Sequence, residues 1–541
     1  MQDGPLTIGQ LVRYGSTIHR DKEVITWTGD GARRETYAEV GRNAARLANA
    51  LRSLGITGDE RVGTFMWNNS EHLAAYLAIP AMGAVLHTLN IRLPADQLGY
   101  IANHAEDRVI LVDASLIPLF GKVLPELTTV RHIVVVGGDA SALDAPPGIE
   151  VHGYDALLSG QSDEYDWPEV DERSAAAMCY TSGTTGNPKG VAYSHRSIWL
   201  HSMQVCMTDG MDLAEPDKGL VIVPMFHAMS WGMPYAAMMI GASMLMPDRF
   251  LQAEPIAAMM AAEKPTMAAA VPTIWQGLLA HLAANPQDIA HLRRVVVGGS
   301  ACPPSLMRAF HDRHGVTVIH AWGMTETSPL GSLANAPGAA TGEEVWKYRE
   351  TQGRFPAAVR ARLINDDGSE APWDGESVGE LEVRGPWIAG SYYNPEAGGA
   401  IDPEKFDNGW LRTGDVGNIT HDGYLRLTDR AKDVIKSGGE WISTVDMENQ
   451  VMAHPSVAEA AVIGIPDPKW DERPLVAVVV AEGKSVTAEE LREFLSDKVA
   501  KWQLPESWTF VDEVPKTSVG KFDKKRIRAQ HSDGQLDVRK T

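Results

Sequence analysis

The chain has 541 residues, and its 70 acidic against 49 basic side chains leave a formal charge of −21. That balance excludes a general nucleic-acid-binding surface, because phosphate backbones are held by basic stripes, and any polyanionic ligand must be met by a local site. Three widely spaced cysteines, Cys179, Cys206 and Cys302, exclude a cysteine metal motif and imply a reducing, cytoplasmic setting.

The length predicts roughly three or four domain-sized units. The opening Met-Gln-Asp-Gly-Pro has neither a basic n-region nor an apolar h-region, so no export is expected. An amphipathic helix is predicted from Thr36 to Ser53, with Glu39 in capping-box spacing and Gly55 as its stop. Alternating strand-like and helix-like runs follow: Arg61 to Met66, Ser70 to Ala81, Val109 to Val112 and His132 to Val136. Such alternation predicts parallel sheets covered by helices.

The stretch Tyr180 to Gly190 places three glycines, four Ser or Thr hydroxyls and Lys189 beside the apolar run Ala175 to Cys179. Glycines allow close backbone approach, successive N–H groups form an anion-binding concavity, and hydroxyls and a lysine complete a phosphate cradle. It is not a Walker A loop, because Pro188 precedes the lysine and Gly190 follows it. On these residues alone an ordinary Gly/Thr-rich turn is an equal reading.

Ser194 is predicted to begin a helix reaching Cys206. Gly219 to Pro247 then runs 29 residues without Asp, Glu, Lys or Arg, long enough to cross a bilayer. Pro224, Gly232, Pro234 and Gly241 interrupt it, so it reads as a buried strand, Leu220 to Val223, and a buried helix, with no integral membrane span. A strand at Arg294 to Val297 ends at Gly298-Gly299-Ser300, a helix spans Ser305 to Arg313, and a strand at Val316 to His320 leads into Trp322-Gly-Met-Thr-Glu-Thr327. Ligands bind at the carboxyl ends of such strands.

From about Gln352 short strands such as Val378 to Gly385 and Asp422 to Thr428 predict a small antiparallel unit. Beyond Asp429, strands at Ala458 to Ile465, Leu475 to Val480 and Ser507 to Val511, with a helix at Thr487 to Val499, predict a separate α+β domain. The fold expected is α/β: an N-terminal domain, residues 1–430, of helix-covered parallel sheets with a β-rich subdomain at 350–430, and a mobile α+β C-terminal domain, residues 431–541, hinged near Lys432.

Five ordered motifs carry a resemblance that covers nearly the whole chain: Tyr180 to Gly190, Trp322-Gly-Met-Thr-Glu326, Gly409-Trp-Leu-Arg-Thr-Gly-Asp415, Asp429 through Trp441, and Pro515-Lys-Thr-Ser-Val-Gly-Lys521. The chain resembles the adenylate-forming acyl-CoA synthetases. Through Pro224-Met-Phe-His-Ala-Met-Ser-Trp231, Lys436 to Ser443 and Pro468 to Pro474 it is most similar to the medium- and long-chain fatty-acid–CoA ligases. The resemblance implies ATP, Mg²⁺ and CoA as cofactors, a small-molecule carboxylic acid as substrate and, by analogy, a homodimer. Aryl, methylthio-propionyl or specialised-metabolite acids, and a carrier protein or amine as acceptor, stay open, as does a non-catalytic nucleotide-binding protein.

The family pattern implies specific roles. Thr181, Ser182, Gly183, Thr184, Thr185, Gly186 and Lys189 would surround the triphosphate, with Thr181 and Glu326 sharing Mg²⁺, a hard ion suited to oxygen ligands. Gly299, Ser300, Ala321 and Trp322 would form the adenine side, with Gly323 a further cofactor contact, Thr325 would contact the α-phosphate, and Asp415 would accept the ribose hydroxyls beside Arg430. His227, Trp231 and Gly323 would line the acid pocket, with Trp231 as an aromatic gate. Met229, Ser230 and Ala431 depart from the residues common at their positions.

Lys521 is the implied catalytic lysine, with Glu326 and His227. Read locally, Lys516, Lys521, Lys524, Lys525, Arg526 and Arg528 also fit a solvated basic tail. After rotation about Lys432, Gly438, Gly439 and Glu440 would line a tunnel for the CoA arm, with Lys436 and Trp441 as nucleotide contacts; a Gly-Gly hairpin turn is the plainer alternative.

Overall fold

A computed structural model describes residues 2–541 apart from 182–186, 366, 396–401, 431, 438–439 and 518–519, and apart from the side chains of 440 and 441. Local signals set the first helices. Thr36 caps Tyr37–Ser53 in a reciprocal capping box with Glu39, and Val40, Ala44, Leu47, Ala48 and Leu51 are buried along that helix. Asn69 caps Ser70–Ala81, whose every residue is buried except Glu71, and Ser194 caps His195–Cys206.

Two large sheets result. In the first, five strands run parallel in the order His132–Val136, Asp107–Asp113, Arg61–Phe65, Val85–Thr88 and Ala175–Tyr180, with Glu150–Gly153 parallel at one edge. The other edge is Gly190–Ser194, antiparallel to Ala175–Tyr180. The glycine-rich stretch is therefore flanked by an antiparallel pair of strands. Its ends are joined by Thr181 N–H donating to the Lys189 carbonyl at 3.0 Å, and by Lys189 N–H donating to Thr181 Oγ1 at 3.2 Å.

The second sheet holds Glu23–Trp27, Ser243–Met246, Lys218–Leu220, Met267–Ala270, Arg294–Val297 and Thr317–Gly323 in parallel. It then turns antiparallel through Leu330–Leu333, Gly353–Arg354, Tyr424–Arg430, Trp410–Ile419, Gly379–Arg384 and Arg360–Ile364. The β-rich region beyond residue 350 thus continues a parallel sheet, though it has its own apolar cluster around Leu363, Leu381, Val383 and Leu425.

Sheet membership changes between Arg430 and Ile435: Tyr424–Arg430 belongs to the second sheet, Ile435–Ser437 to a third. That third sheet is built on the long antiparallel pair Val457–Asp467 and Asp471–Val480, with Ser507–Phe510 parallel to the latter. Helices Thr444–Met452 and Ala488–Leu495 bury Met447, Val451, Leu491 and Leu495 against it.

The uncharged segment folds as strand Lys218–Leu220, a tight turn, helix Met233–Ile240 and strand Ser243–Met246. No helix among the described residues is long and apolar enough to cross a membrane.

Candidate active site

A cavity of about 430 Å³ opens where the carboxyl ends of the second sheet meet the glycine-rich stretch and the third sheet's domain. It brings together Thr181, Lys189, His227, Trp231, Gly299, Ala321, Trp322, Gly323, Thr325, Glu326, Arg430, Lys432 and Lys521. These residues lie as much as 340 positions apart in sequence, and each arrives by an identifiable local cause.

Strand Thr317–Gly323 delivers Ala321, Trp322 and Gly323. Gly323 admits no side chain, since a Cβ there would stand 1.8 Å from the Pro329 carbonyl oxygen. The short turn Thr325–Thr327 follows, and the Tyr193 hydroxyl fixes it by donating to the Thr325 carbonyl at 2.7 Å. Glu326 is buried, and its Oε1 accepts from the Tyr392 hydroxyl at 2.5 Å. Burial and then the Glu326 carboxylate push the Tyr392 phenol well above its ordinary range, so it remains a donor.

Lys189 lies over the Tyr392 ring at 4.8 Å and pairs with Asp402 at 3.1 Å. Tyr392 thereby connects the lysine of the glycine-rich stretch with the carboxylate of the Glu326 turn. Half-buried Lys405 also faces the cavity, its Nζ donating to the Thr413 carbonyl at 3.3 Å; burial lowers its proton affinity, while Glu326 and Asp415 oppose that effect.

His227 and Trp231 sit on an unusual turn. Ala228, Met229, Ser230 and Trp231 have φ of 42°, 55°, 52° and 53°, and Gly232 has 77°. Successive left-handed non-glycine residues cost about 1 to 2 kcal/mol each and persist where surrounding structure holds them. Ser230 Oγ does so by donating to the Val223 carbonyl at 2.7 Å. The turn aims the Trp231 indole over Gly298 and Gly299, where a Cβ on Gly298 would meet Trp231 Cη2 at 3.2 Å. Gly299 itself has φ +84°. His227 lines the cavity, and burial, then Lys521 and Arg92, push its proton affinity down to about 3, leaving a neutral imidazole.

Register explains Asp415. It pairs across the ladder with Arg430, whose Nε lies 3.2 Å from Asp415 Oδ1, while the Trp322 indole N–H donates to Oδ2 at 2.8 Å. Asp415 stands behind these two cavity residues rather than in the lining. Ser300 and Lys436 are also outside the lining; Lys436 is exposed on strand Ile435–Ser437, its N–H donating to Glu472 Oε2 at 2.9 Å. Ser182, Gly183, Thr184, Thr185, Gly186, Ala431, Gly438 and Gly439 lie outside the described residues, as do the side chains of Glu440 and Trp441.

Lys521 enters from the C-terminal domain. Its neighbour Gly520 packs near Val271 and Thr273, and Lys521 Cε would lie 3.9 Å from a Cβ on Gly299. Burial first, and then the Arg430 guanidinium, lower its proton affinity to about 8, against the pull of Asp415 and Glu326. With Lys189, Lys405, Arg430, Lys432, Lys524, Lys525 and Arg528, the cavity presents eight cations against three carboxylates, Glu326, Asp433 and Asp523, in a chain of strongly acidic composition. That excess calls for an anion, and a nucleoside triphosphate fits it.

Glu326 with the Thr181 hydroxyl supplies hard oxygen donors of the type Mg²⁺ takes beside phosphates and water.

Sequence reasoning missed Tyr392 and Lys405. Tyr392 carried a usable signal as an aromatic in the Ser391-Tyr-Tyr-Asn394 run, whereas Lys405 looks like any surface lysine. Lys524 was assigned no role, and it is mostly buried in an ion pair with Glu448 at 2.8 Å.

Comparison with known proteins agrees with this geometry. A family profile described as AMP-binding enzyme matches residues 15–393, and one described as AMP-binding enzyme C-terminal domain matches residues 446–521. The chain is 44% identical over 539 residues to a 3-methylmercaptopropionyl-CoA ligase of Ruegeria lacuscaerulensis, covering 98% of each chain. It is 43% identical to a medium-chain-fatty-acid–CoA ligase of Ectopseudomonas oleovorans, covering 98% of this chain and 97% of the relative. Among solved structures, an anthranilate CoA ligase in complex with anthranoyl-AMP superposes with TM-score 0.88 at 25% identity, covering 99% of both chains.

Proposed function

Since the chain belongs to the AMP-binding enzyme family, we propose that it is an acid–thiol ligase that activates a medium- or long-chain fatty acid with ATP. The acid becomes an acyl-adenylate with release of pyrophosphate, and CoA then takes the acyl group, leaving AMP. The observation that carries this reading is the lysine of the C-terminal domain, Lys521, in one cavity with Glu326, Lys189 and Arg430 of the N-terminal part.

The difficulty in the first half-reaction is to bring a carboxylate onto an already anionic phosphate. Catalysis there rests on positioning and on charges aimed at the phosphates. Lys189 would hold the outer phosphates, its ammonium fixed between Tyr392 and Asp402. Lys521 would sit between the α-phosphate and the acid; a cation whose proton is loosened by burial regains it as anions arrive, so its charge is strongest when substrate is bound. When bound, Mg²⁺ would neutralise phosphate charge beside Glu326 and Thr181. His227, being neutral, would offer a hydrogen bond to the acid without adding a competing charge. Asp415, whose oxygens meet Trp322 and Arg430, would receive the ribose hydroxyls once the nucleotide moves the Arg430 guanidinium aside.

The acyl end would lie against Trp231, Ala228, Met211 and Leu330, apolar residues of the same cavity. A buried methylene contributes about 0.8 kcal/mol, so discrimination between neighbouring chain lengths is modest. The 44% identical relative acting on 3-methylmercaptopropionate favours a short sulfur-containing acid as the second reading.

The C-terminal domain would withdraw Lys521 by rotation near Lys432 before the thiol enters; the change of sheet between Arg430 and Ile435 supports a boundary there. A cytoplasmic homodimer is the expected setting. The test is a panel of carboxylic acids of varied length and ring content, with ATP, Mg²⁺ and CoA, and the thioester read by mass. A thioester from fatty acids of medium or long chain supports the reading, and AMP formation that needs no CoA refutes the thiol acceptor.

A further inference from the structure

Far from the cavity, the edge of the first sheet carries three side chains that the ligase chemistry does not use. Edge strand Glu150–Gly153 pairs in parallel with His132–Val136, with His132 opposite Glu150 and Val134 opposite His152. Side chains two apart on a strand share a face, as do paired residues on neighbouring strands, so His132, Glu150 and His152 converge on one side of the sheet. His132 and Glu150 are the first residues of their strands, whereas the cavity lies at the carboxyl ends of the parallel strands. The cluster and the cavity therefore stand at opposite poles.

Three atoms define it. His132 Nδ1 is 3.2 Å from His152 Nε2, and Glu150 Oε2 is 3.7 Å from the first and 3.8 Å from the second. The point equidistant from the corners of that triangle lies about 2.1 Å from each, the distance at which Zn²⁺ takes imidazole nitrogen and carboxylate oxygen. An N–H···N bond between the two rings would account for the 3.2 Å separation alone. It would not account for a carboxylate oxygen at the third corner, nearly equidistant from both nitrogens.

The two histidines are mostly buried, which holds their rings, while Glu150 is exposed and leaves the outer coordination positions open to water. Two imidazoles and a carboxylate suit a borderline divalent ion such as Zn²⁺, Ni²⁺ or Cu²⁺ and disfavour Mg²⁺, which prefers all-oxygen octahedra.

We propose that His132, Glu150 and His152 form a surface site for one divalent transition-metal ion, independent of the Mg²⁺ used with ATP, that clasps the edge strand Glu150–Gly153 to its neighbour. Such an ion caps one end of an edge strand four residues long, the kind of element that otherwise frays or pairs with another chain.

The test uses the full chain stripped of metal and then kept in saturating Mg²⁺, so that oxygen sites near Glu326 do not report. Zn²⁺ titration by calorimetry and Co²⁺ titration by visible absorption are compared for the parent and for His152→Gln. The expected result is one ion per chain, ligand-field bands of a four-coordinate Co²⁺ without a sulfur charge-transfer band, and affinity at least tenfold weaker in His152→Gln. Acid-dependent pyrophosphate release measured in Mg²⁺ alone should be equal in both proteins, which certifies the variant's fold. Unchanged affinity in His152→Gln, or a thiolate band that moves the ion to a cysteine, overturns the proposal.

Discussion

Replacing Lys521 by methionine removes a charge while nearly keeping the side chain's length, and the two-pose reading proposed above says what each half-reaction should do. Holding the ammonium at about 8 rather than the ordinary 10.5 corresponds to roughly 3 kcal/mol, at about 1.4 kcal/mol for each pK. If Lys521 withdraws into solvent on the domain rotation proposed above, the docked state binds the proton more weakly than the undocked state. Docking without nucleotide is therefore opposed by the full amount below pH 8, and the penalty disappears as the pH rises from about 8 toward 10.5. Lys521→Met should accordingly dock about a hundredfold more favourably at pH 7, and it should lose the rise in docking above pH 8. Energy transfer between a fluorophore on the N-terminal domain and one on the C-terminal domain reads both effects. Acid-dependent pyrophosphate release should fall by about a hundred- to a thousandfold, the usual effect of removing one charge aimed at a transition state. Thioester formation from supplied acyl-adenylate should survive. An unchanged docking profile, or equal loss in the two half-reactions, would refute both the electrostatic account and the two-pose mechanism.

Three further substitutions probe the supports of the site. Tyr392→Phe removes the hydroxyl 2.5 Å from Glu326 and should cost about 1.5 to 3 kcal/mol, seen as a raised Mg²⁺·ATP requirement with little change in affinity for the acid. Gly323→Ala sets a Cβ 1.8 Å from the Pro329 carbonyl oxygen; a loss of about 1 to 3 kcal/mol should appear as a lower melting temperature together with lost pyrophosphate release, and a variant unchanged in both would show that the turn yields freely. Glu448→Gln removes the carboxylate charge 2.8 Å from the Lys524 ammonium but leaves Thr444 Oγ1 beside it and should destabilise the C-terminal domain by about 1.5 to 3 kcal/mol, while denaturation of the N-terminal domain, followed separately, stays the same.

Much of the fold was legible because its signals are local. The capping box at Thr36 and Glu39 and the cap at Ser194 each place a helix start within a few residues. The apolar runs at His132–Val136 and Arg294–Val297 are strands as expected of sheets buried on both faces. Strand Gly190–Ser194 was not foreseen, since five residues with a single exposed position carry no strong alternation. The turn at 228–232 was equally hidden. Left-handed conformation in Ala, Met, Ser and Trp has no compositional mark; it is imposed from outside, in part by the Ser230 bond to Val223.

The site divides along the same line. Residues that would touch the nucleotide lie in short motifs, because a phosphate group constrains several neighbouring positions at once, and Thr181, Lys189, Thr325, Glu326 and Lys521 do share a cavity. The residues that hold them are single positions met only through the fold. Asp402 reaches Lys189 across 213 residues, and Tyr392 reaches Glu326 across 66. The basic stretch 516–528 makes the same point. Its charges look alike in sequence, yet Lys516 pairs with Glu459 at 2.6 Å, Lys521 enters the cavity, Lys524 pairs with Glu448, and Arg528 pairs with Asp433 at 2.8 Å. Lys524 and Arg528 are four apart on helix Lys524–Ser532, so one helical face anchors the domain while the preceding loop carries Lys521 inward. The same contacts that fix the helix thus set how far Lys521 reaches, and breaking the Glu448 pair should displace the lysine as well as loosen the domain.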